Sequence, residues 1–322
     1  MTITVGSLYA GVGGIDIAFQ QTGCVISWAN EIDSHACTTY RQNLNHKIIA
    51  GDIRNITDNE LAPVDILCAG IPCQPFSVAG NRQGFSDIRG TEFFELVRLI
   101  KGMSVKPPVV FLENVKGFRT HDKGNTFATI KTTLEDLGYH VFDEIIDTCV
   151  YTMIPQHRER TFVIAFLDKV HRQKFENQHR YYSYEERIWP ITHCLETAPV
   201  PEKYYYREDK YNYSALASDV TSADIVYQWR RKYVRANKSG VCPTLTANMG
   251  TGGHNVPIIR VEDGIRKLTP RECFNFQGFP VDYVLPAIAD SHLYKQAGNS
   301  VTIPVIRKLA EFIVNSAHPR QR

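Results

Sequence analysis

Cys73 lies in the run Gly70-Ile71-Pro72-Cys73-Gln74-Pro75-Phe76-Ser77. The prolines on either side narrow the backbone, so the thiol is held just past an apolar stretch, Asp65–Ala69, that reads as a strand. A cysteine held in this way at the ligand edge of a sheet is a candidate reactive thiol, with a buried structural cysteine as the plain alternative. Two other segments can bring polar groups to the same cleft. Glu113-Asn114-Val115 follows the apolar run Val109–Leu112, which places a carboxyl at a strand end. Gln156-His157-Arg158-Glu159-Arg160 leads into a strand over Arg160–Phe166, and two-residue alternation puts Arg158 and Arg160 on one face. Two guanidinium groups aimed at one cleft grip an anion or a carbonyl; an arginine pair salt-bridged to Glu113 is the plain structural alternative. His157 then points away and reads as a neutral packing residue. Cys24, Cys37, Cys68, Cys149, Cys194, Cys242 and Cys273 read as inert interior thiols. No two cysteines have C-x-x-C spacing, so no metal is expected.

A second group of residues could hold a cofactor. Ala10-Gly11-Val12-Gly13-Gly14 follows a predicted strand and opens a predicted helix, so backbone N–H groups can approach a ligand closely. A dinucleotide fingerprint needs glycine at position 16, where this chain has Asp16, and a diphosphate crossing the turn would meet that carboxylate. Glu31 ends the next strand, where an acid can accept both hydroxyls of a ribose. Asp52, in Gly51-Asp52-Ile53, is placed to accept from an adenine amino group. Glycines with acids and no lysine suit an adenosine ligand without phosphates, and S-adenosylmethionine answers that description. A plain tight turn is the alternative.

The elements that would carry these residues alternate. Strands are predicted at Ile3–Tyr9, Val25–Ala29, Asp65–Ala69, Val109–Leu112, Val141–Ile146 and Arg160–Phe166. Helices are predicted at Ile15–Thr22, Thr91–Met103 and Thr126–Leu137. This rhythm predicts an α/β fold with a parallel sheet covered by helices on both faces, its ligands lying beyond the carboxyl ends of the strands. After Phe166 the rhythm stops, and helical patterning returns at Pro270–Gln277 and Val305–Asn315. One α/β domain, 1–167 plus 268–322, interrupted by a smaller irregular domain at 168–267, fits this pattern.

Charge divides the same way. The 322 residues carry 36 basic and 34 acidic side chains, a balance that argues against a general polyanion binder. Residues 168–267, however, hold 16 basic and 12 acidic residues and ten of the 16 tyrosines. Arg230, Arg231, Lys232, Arg235, Lys238 and Arg260 fall between Ile225 and Val261 with no acid among them. A basic, tyrosine-rich insert reads as a surface-reading module, with a solvated face as the alternative. Eight cysteines do not make a disulfide scaffold and no secretory signal precedes them, so the thiols are expected reduced in a cytoplasm. No apolar run is long enough to span a membrane.

Taken together, these motifs resemble those of the C5-cytosine DNA methyltransferases. The matching segments run in family order: Ser7–Gly14, Gly70–Ser77, Glu113-Asn114-Val115, Gln156–Arg160, Leu268-Thr269-Pro270-Arg271-Glu272 through Gln277-Gly278-Phe279-Pro280, and Gln296-Ala297-Gly298-Asn299-Ser300-Val301. They cover about 1–167 and 268–315 and leave unmatched the stretch where the family keeps its target-recognition domain. Three departures stand out: Tyr9 replaces the usual phenylalanine, Tyr151–Pro155 lacks the usual glycine, and Phe274-Asn275-Phe276 replaces the usual run.

The resemblance implies an S-adenosylmethionine-dependent methyltransferase sheet of Rossmann-like form with a smaller, β-rich target-recognition domain. It implies Cys73 as nucleophile at cytosine C6, Glu113 at N3, Arg160 at O2, and Arg158 at a phosphate or bracing Glu113. It carries Tyr9, Gly11, Gly13, Gly14, Glu31, Ile32, Asp52, Ile53, Pro72, Asn299 and Val301 over as cofactor-binding positions. The substrate implied is duplex DNA with its target base flipped out, under a closing loop at 77–90 that brings Ser77 and Arg89 to the backbone. Arg230, Arg231 and Lys232 are the phosphate-binding expectations, Thr244 a positioning residue, and Arg235 and Asn248 readers of base edges. A bacterial, cytoplasmic, monomeric enzyme of restriction–modification type follows, with a cognate endonuclease encoded nearby as its natural partner. Three other readings stay open at this stage. They are a tRNA cytosine methyltransferase of the same family, an inactive DNA-binding relative, and a nucleotide-dependent oxidoreductase.

Overall fold

A computed structural model describes residues 2–57, 60–72, 92–184, 187–210, 212–230, 232–250 and 256–317. Cys73, Ser77, Arg89, the rest of the 77–90 loop, and Arg231 lie outside the described residues. In chain order the first part carries β1 (Thr4–Leu8), α1 (Gly14–Gln20), β2 (Val25–Glu31), α2 (Ser34–Asn43), β3 (Lys47–Ala50), β4 (Ile66–Gly70) and α3 (Glu92–Gly102). It continues with β5 (Val109–Val115), α4 (Asn125–Asp136), β6 (His140–Asp147), α5 (Thr148–Tyr151), β7 (Glu159–Phe166) and α6 (Lys169–Arg180). Then follow β8 (Tyr205–Tyr206), α7 (Tyr213–Asp219), β9 (Val226–Arg230), β10 (Tyr233–Asn237), β11 (Ile258–Val261), β12 (Gly264–Lys267), α8 (Pro270–Asn275), α9 (Asp290–Asn299) and α10 (Ile303–Ala317). No helix among the described residues is long and apolar enough to cross a membrane.

The chain divides into two compact units. The first comprises 1–146, 159–183 and 305–322; the second comprises 147–158 and 184–304. The first is built on a seven-stranded sheet of order β3-β2-β1-β4-β5-β7-β6. The pairs β2–β3, β1–β2, β1–β4 and β4–β5 are parallel, whereas β7 runs antiparallel to β5. Both faces of the sheet are covered because its strands are apolar on both sides. Val110 and Leu112 of β5 join Leu67, Ala69 and Val163 in a core with Phe93, Leu96, Leu99 and Ile100 of α3 and Ile130 and Leu134 of α4. Phe111, between them in sequence, takes the other face, where its ring meets Phe19 of α1 at 5.7 Å and Phe162 of β7 at 5.9 Å.

The second unit holds a five-stranded sheet of order β10-β9-β11-β12-β8, antiparallel at every pair. Tyr227, Trp229, Ile258 and Ile265 form its core with Leu216 of α7 and Val220. Helix α8 starts on a capping box. Thr269 Oγ1 accepts from the Glu272 N–H and Glu272 Oε2 from the Thr269 N–H, with Pro270 at the first helical position. The same Glu272 carboxylate takes both ends of the Arg266 guanidinium at 2.7 Å, and both side chains are buried.

Four features depart from the sequence expectation. The sheet is not wholly parallel, because the reversal of β7 depends on its pairing across the sheet rather than on its apolar pattern. Glu113 and Asn114 lie inside β5 rather than past its end. Residues 169–180, expected in the irregular insert, form a helix of the first unit. Its one buried residue, Phe175, packs on Phe142 at 5.0 Å, Phe166 at 5.5 Å and Phe312 at 6.3 Å, so a single contact position escaped the periodicity. Residues 268–304, expected with the first body, group with the second unit. There Gly298 of α9 lies so close to Thr246 that an added Cβ would sit 2.2 Å from the Thr246 carbonyl carbon.

Candidate active site

The strand order of the first unit reverses between β1 and β4, and in open α/β sheets ligands bind beyond the carboxyl ends at such a switch point. The glycine turn leaves β1 there, and Ile71-Pro72 leave β4 beside it. Gly11 sits at φ +58° and Gly13 at φ +83°, left-handed conformations that favour glycine. Among the described residues, a Cβ added at Gly11 would meet nothing within 4 Å, so their atoms leave space against this backbone. The Glu31 carboxylate at the end of β2 shapes the turn. It accepts from the Gly11 N–H at 2.8 Å, the Ile32 N–H at 2.9 Å and the Asp33 N–H at 2.8 Å. A carboxylate has about four lone-pair positions, so about one remains for a ribose hydroxyl.

The other expected cofactor residues of the first unit differ in exposure. Ile32 is 63% exposed, an apolar side chain left open beside the turn. Asp52 is bonded to Arg54 through its side chain (2.9 and 3.0 Å from Nε) and its backbone N–H (2.9 Å), and these bonds hold its carboxyl below the usual range. Ile53 is buried in the core that backs the sheet, and Pro72 is half-buried. Tyr9, at φ +54°, donates its hydroxyl to Glu92 Oε2 at 2.7 Å. Burial, then the Glu92 bond, push the phenol well above its usual range. Asp16 corrects one sequence argument. Its carboxylate is fully buried and receives the Tyr40 hydroxyl, with His46 3.9 Å away, so it is not presented to a ligand at the turn.

Glu113 pairs in register with Gly70, the last residue of β4, three positions before Cys73. Asn114 Nδ2 donates to the Ile71 carbonyl at 3.4 Å, fixing the start of the same segment. Arg160 Nε lies 3.1 Å from Glu113 Oε1, with both side chains largely shielded. A carboxylate braced by a guanidinium therefore stands where the chain leaves toward Cys73.

Arg158 differs from the expectation. It precedes β7, so strand alternation does not extend to it. Its guanidinium, 2% exposed, donates to the carbonyls of Leu245 at 2.9 Å, Gly298 at 3.3 Å and Ser300, all within the second unit. Carbonyls, rather than a phosphate, use these donors. His157 is corrected too: its side chain is 57% exposed and its Nδ1 is bonded to Asp147, so it is not a packing residue.

The expected reading residues sit in the second unit. Residues directly opposite in β9 and β10 share a face. Arg230 pairs with Tyr233 and Gln228 with Arg235, so these four line one face, opposite the core residues Trp229 and Val234. Arg230, Tyr233 and Arg235 are exposed, as are Lys232 and Asn248. Thr244 donates its hydroxyl to the His157 carbonyl at 2.7 Å, which pins its loop. Asn299, the last residue of α9, is exposed, and Val301, two residues past it, is buried.

Sequence reasoning missed the residues that organise these segments. Gln156, fully buried, donates to the Phe276 carbonyl at 2.7 Å and accepts from the Leu245 N–H at 3.2 Å. Gln277 donates to the Ala297 carbonyl at 2.8 Å and accepts from Thr302 at 3.1 Å. Their signal was a glutamine in each matching motif; nothing local says that both are buried.

The fold is that of Rossmann-like methyltransferases. It superposes on the Dnmt2 methyltransferase of S. pombe (TM-score 0.75, 20% identity, 98% of this chain and 99% of that one). It also superposes on the Entamoeba histolytica methyltransferase EhMeth (TM-score 0.78, 19% identity, 99% of each chain). The model of the C-5 cytosine-specific DNA methylases matches residues 3–315, and the chain belongs to that family. It is 49% identical over 322 residues to the type II methyltransferase M.Bsp6I of Bacillus sp. (strain RFL6), covering 98% of this chain and 99% of that protein. It is 36% identical over 315 residues to M.HaeII of Haemophilus aegyptius, covering 98% and 94%. The protein is a DNA cytosine-C5 methyltransferase, which removes the oxidoreductase reading.

Proposed function

We propose that the protein transfers a methyl group from S-adenosylmethionine to C5 of a cytosine flipped out of duplex DNA, within one recognition sequence. The observation that carries this is the Glu113–Arg160 pair in register with the end of β4, three residues before Cys73. The cofactor fits the open glycine turn, the acid at the end of β2 and exposed Ile32. Tyr9, Asp52 and Pro72 complete its walls, Gly14 opens the helix behind it, and Asn299 and Val301 are assigned to its methionine end. Bound, it supplies an electrophilic methyl group.

Cytosine C5 is a poor nucleophile until something adds to C6. The Cys73 thiolate forms the S–C6 bond, and Glu113, acting in its protonated form, gives its proton to N3 to take up the charge pushed onto the ring. Arg160 braces Glu113 and faces O2. The enamine carbon C5 then takes the methyl group. Loss of the C5 proton through water restores the double bond, breaks S–C6 and returns the proton from N3 to Glu113. Arg158 acts as a positioning residue by holding the 245, 298 and 300 backbones together. Removing the base from the stack costs about a few kcal/mol, which binding to the phosphates offsets.

The second unit, with Arg230, Arg231, Lys232 and Arg235 around the β9–β10 hairpin and with Asn248, is assigned the DNA; Ser77 and Arg89 are assigned its backbone at the target. Both relatives are named type II methyltransferases, which supports a restriction–modification setting. A cytoplasmic monomer with a cognate endonuclease belongs to that reading.

Bisulfite sequencing of DNA from a host expressing the chain tests the proposal. Methylated cytosines in one sequence context are expected, absent with Cys73→Ser. Unmethylated DNA together with methylation of tRNA would refute it, as would unimpaired methylation by Cys73→Ser.

A further inference from the structure

Of the cysteines in the described residues, Cys149 alone is not buried. It lies in the single turn of α5, two residues after Asp147 and eight before His157 in sequence. The hairpin between β6 and β7 brings the three together: one ligand atom each of Asp147, Cys149 and His157 lie within 4.8 Å of one another. We propose that Asp147, Cys149 and His157 form a binding site for a thiophilic divalent cation of the zinc class.

Two independent features support this. The first is the donor set. A thiolate, an imidazole and a carboxylate are the three ligand types that zinc takes, and three protein ligands leave a fourth tetrahedral position for water. The thiolate disfavours magnesium and calcium, which prefer oxygen throughout. The second is preorganisation. Asp147 precedes α5 without capping it; its Oδ1 accepts the Arg158 N–H at 2.9 Å and its Oδ2 meets His157 Nδ1. The Thr148 N–H returns to the Arg158 carbonyl at 3.1 Å, so both sides of the hairpin are stapled. The His157 N–H is held by the Cys242 carbonyl at 2.8 Å and its own carbonyl by Thr244 at 2.7 Å. The His157 backbone and the two sides of the hairpin are thus held before any cation arrives, which lowers the entropy lost on binding.

The site adjoins Arg158 and the Thr244 loop, so occupancy stiffens the segment that carries both.

The test uses the full chain with Cys73→Ser, which removes the other thiol expected to be accessible. Zinc is measured by equilibrium dialysis with elemental analysis, and Co²⁺ by its thiolate charge-transfer absorption. One equivalent and a charge-transfer band are expected. Cys149→Ser is expected to abolish the band, and Cys149→Ser and His157→Gln are each expected to weaken affinity roughly tenfold or more. His157 is exposed, so His157→Gln leaves folding intact if Cys149→Ser does not. Unchanged affinity in either folded variant, or a band that survives Cys149→Ser, overturns the proposal.

Discussion

Replacing Glu31 by glutamine changes one oxygen to an amide nitrogen and almost nothing in volume. In the wild type, two N–H groups (Ile32 and Asp33) converge on Oε1 and one (Gly11) on Oε2. Glutamine has a single acceptor oxygen, so its best orientation keeps the pair at Ile32 and Asp33. Its NH₂ then faces the Gly11 N–H, donor against donor. One charge-assisted bond is lost, worth about 1.5–3 kcal/mol, and it is lost at the glycine turn. If the cofactor requires that turn as it stands, the same energy appears as weaker binding. At about 1.4 kcal/mol per tenfold, the expected loss of S-adenosylmethionine affinity is about tenfold to a hundredfold. Isothermal titration with the cofactor reads the affinity, and urea unfolding without it reads the stability. A dissociation constant within twofold of wild type, with stability reduced, would show Glu31 to be purely structural and would place the cofactor elsewhere.

The second unit offers a test of the DNA assignment. Arg230→Ala with Lys232→Ala is expected to reduce the slope of log affinity against log salt by about two if both meet phosphates; an unchanged slope means a merely solvated face. Glu272→Ala leaves the buried Arg266 guanidinium without its carboxylate and removes the capping box, an expected loss of about 3–5 kcal/mol in denaturant unfolding. Adding Arg266→Met should recover part of that loss, and no recovery would contradict the ion-pair argument. Burial pushes the Cys194 thiol up to about 12 and the Cys24, Cys37, Cys68, Cys242 and Cys273 thiols above their usual range. A raised thiol stays protonated until the pH passes its folded value, so these six resist iodoacetamide near neutral pH while Cys149 reacts. Peptide mass mapping reads the pattern, and alkylation of the six in the native protein would refute it.

Much of the first unit could be read from local pattern. Strands buried on both faces announce themselves as short apolar runs, and β1, β2, β4, β5 and β7 lie within a few residues of their predicted positions. The glycine turn, Glu31 and Glu113 were legible for the same reason: each is a functional residue type at the end of an apolar run. Helix α6 was not, because one phenylalanine makes its inward contact while the other residues face polar surroundings. The sheet of the second unit was legible only as a basic, tyrosine-rich stretch. Its strands are short and pair antiparallel across gaps in sequence, so period-two alternation has little length in which to show.

By itself, then, the chain's sequence determined the chemistry available to it: a thiol between prolines, a carboxyl, arginines, and a glycine turn with acids, in the order of one enzyme family. These are covalent facts about residue type and spacing, and they survive any folding. Only the tertiary structure decided which group each charge would face. Arg160 went to Glu113, while Arg158, two residues earlier, went to the carbonyls of Leu245, Gly298 and Ser300. Asp16 turned into the core, and Asp147, Cys149 and His157 came together across a hairpin. The reason is that a buried charge must find a partner, and the available partners lie far away in sequence, where only the packed chain brings them within reach.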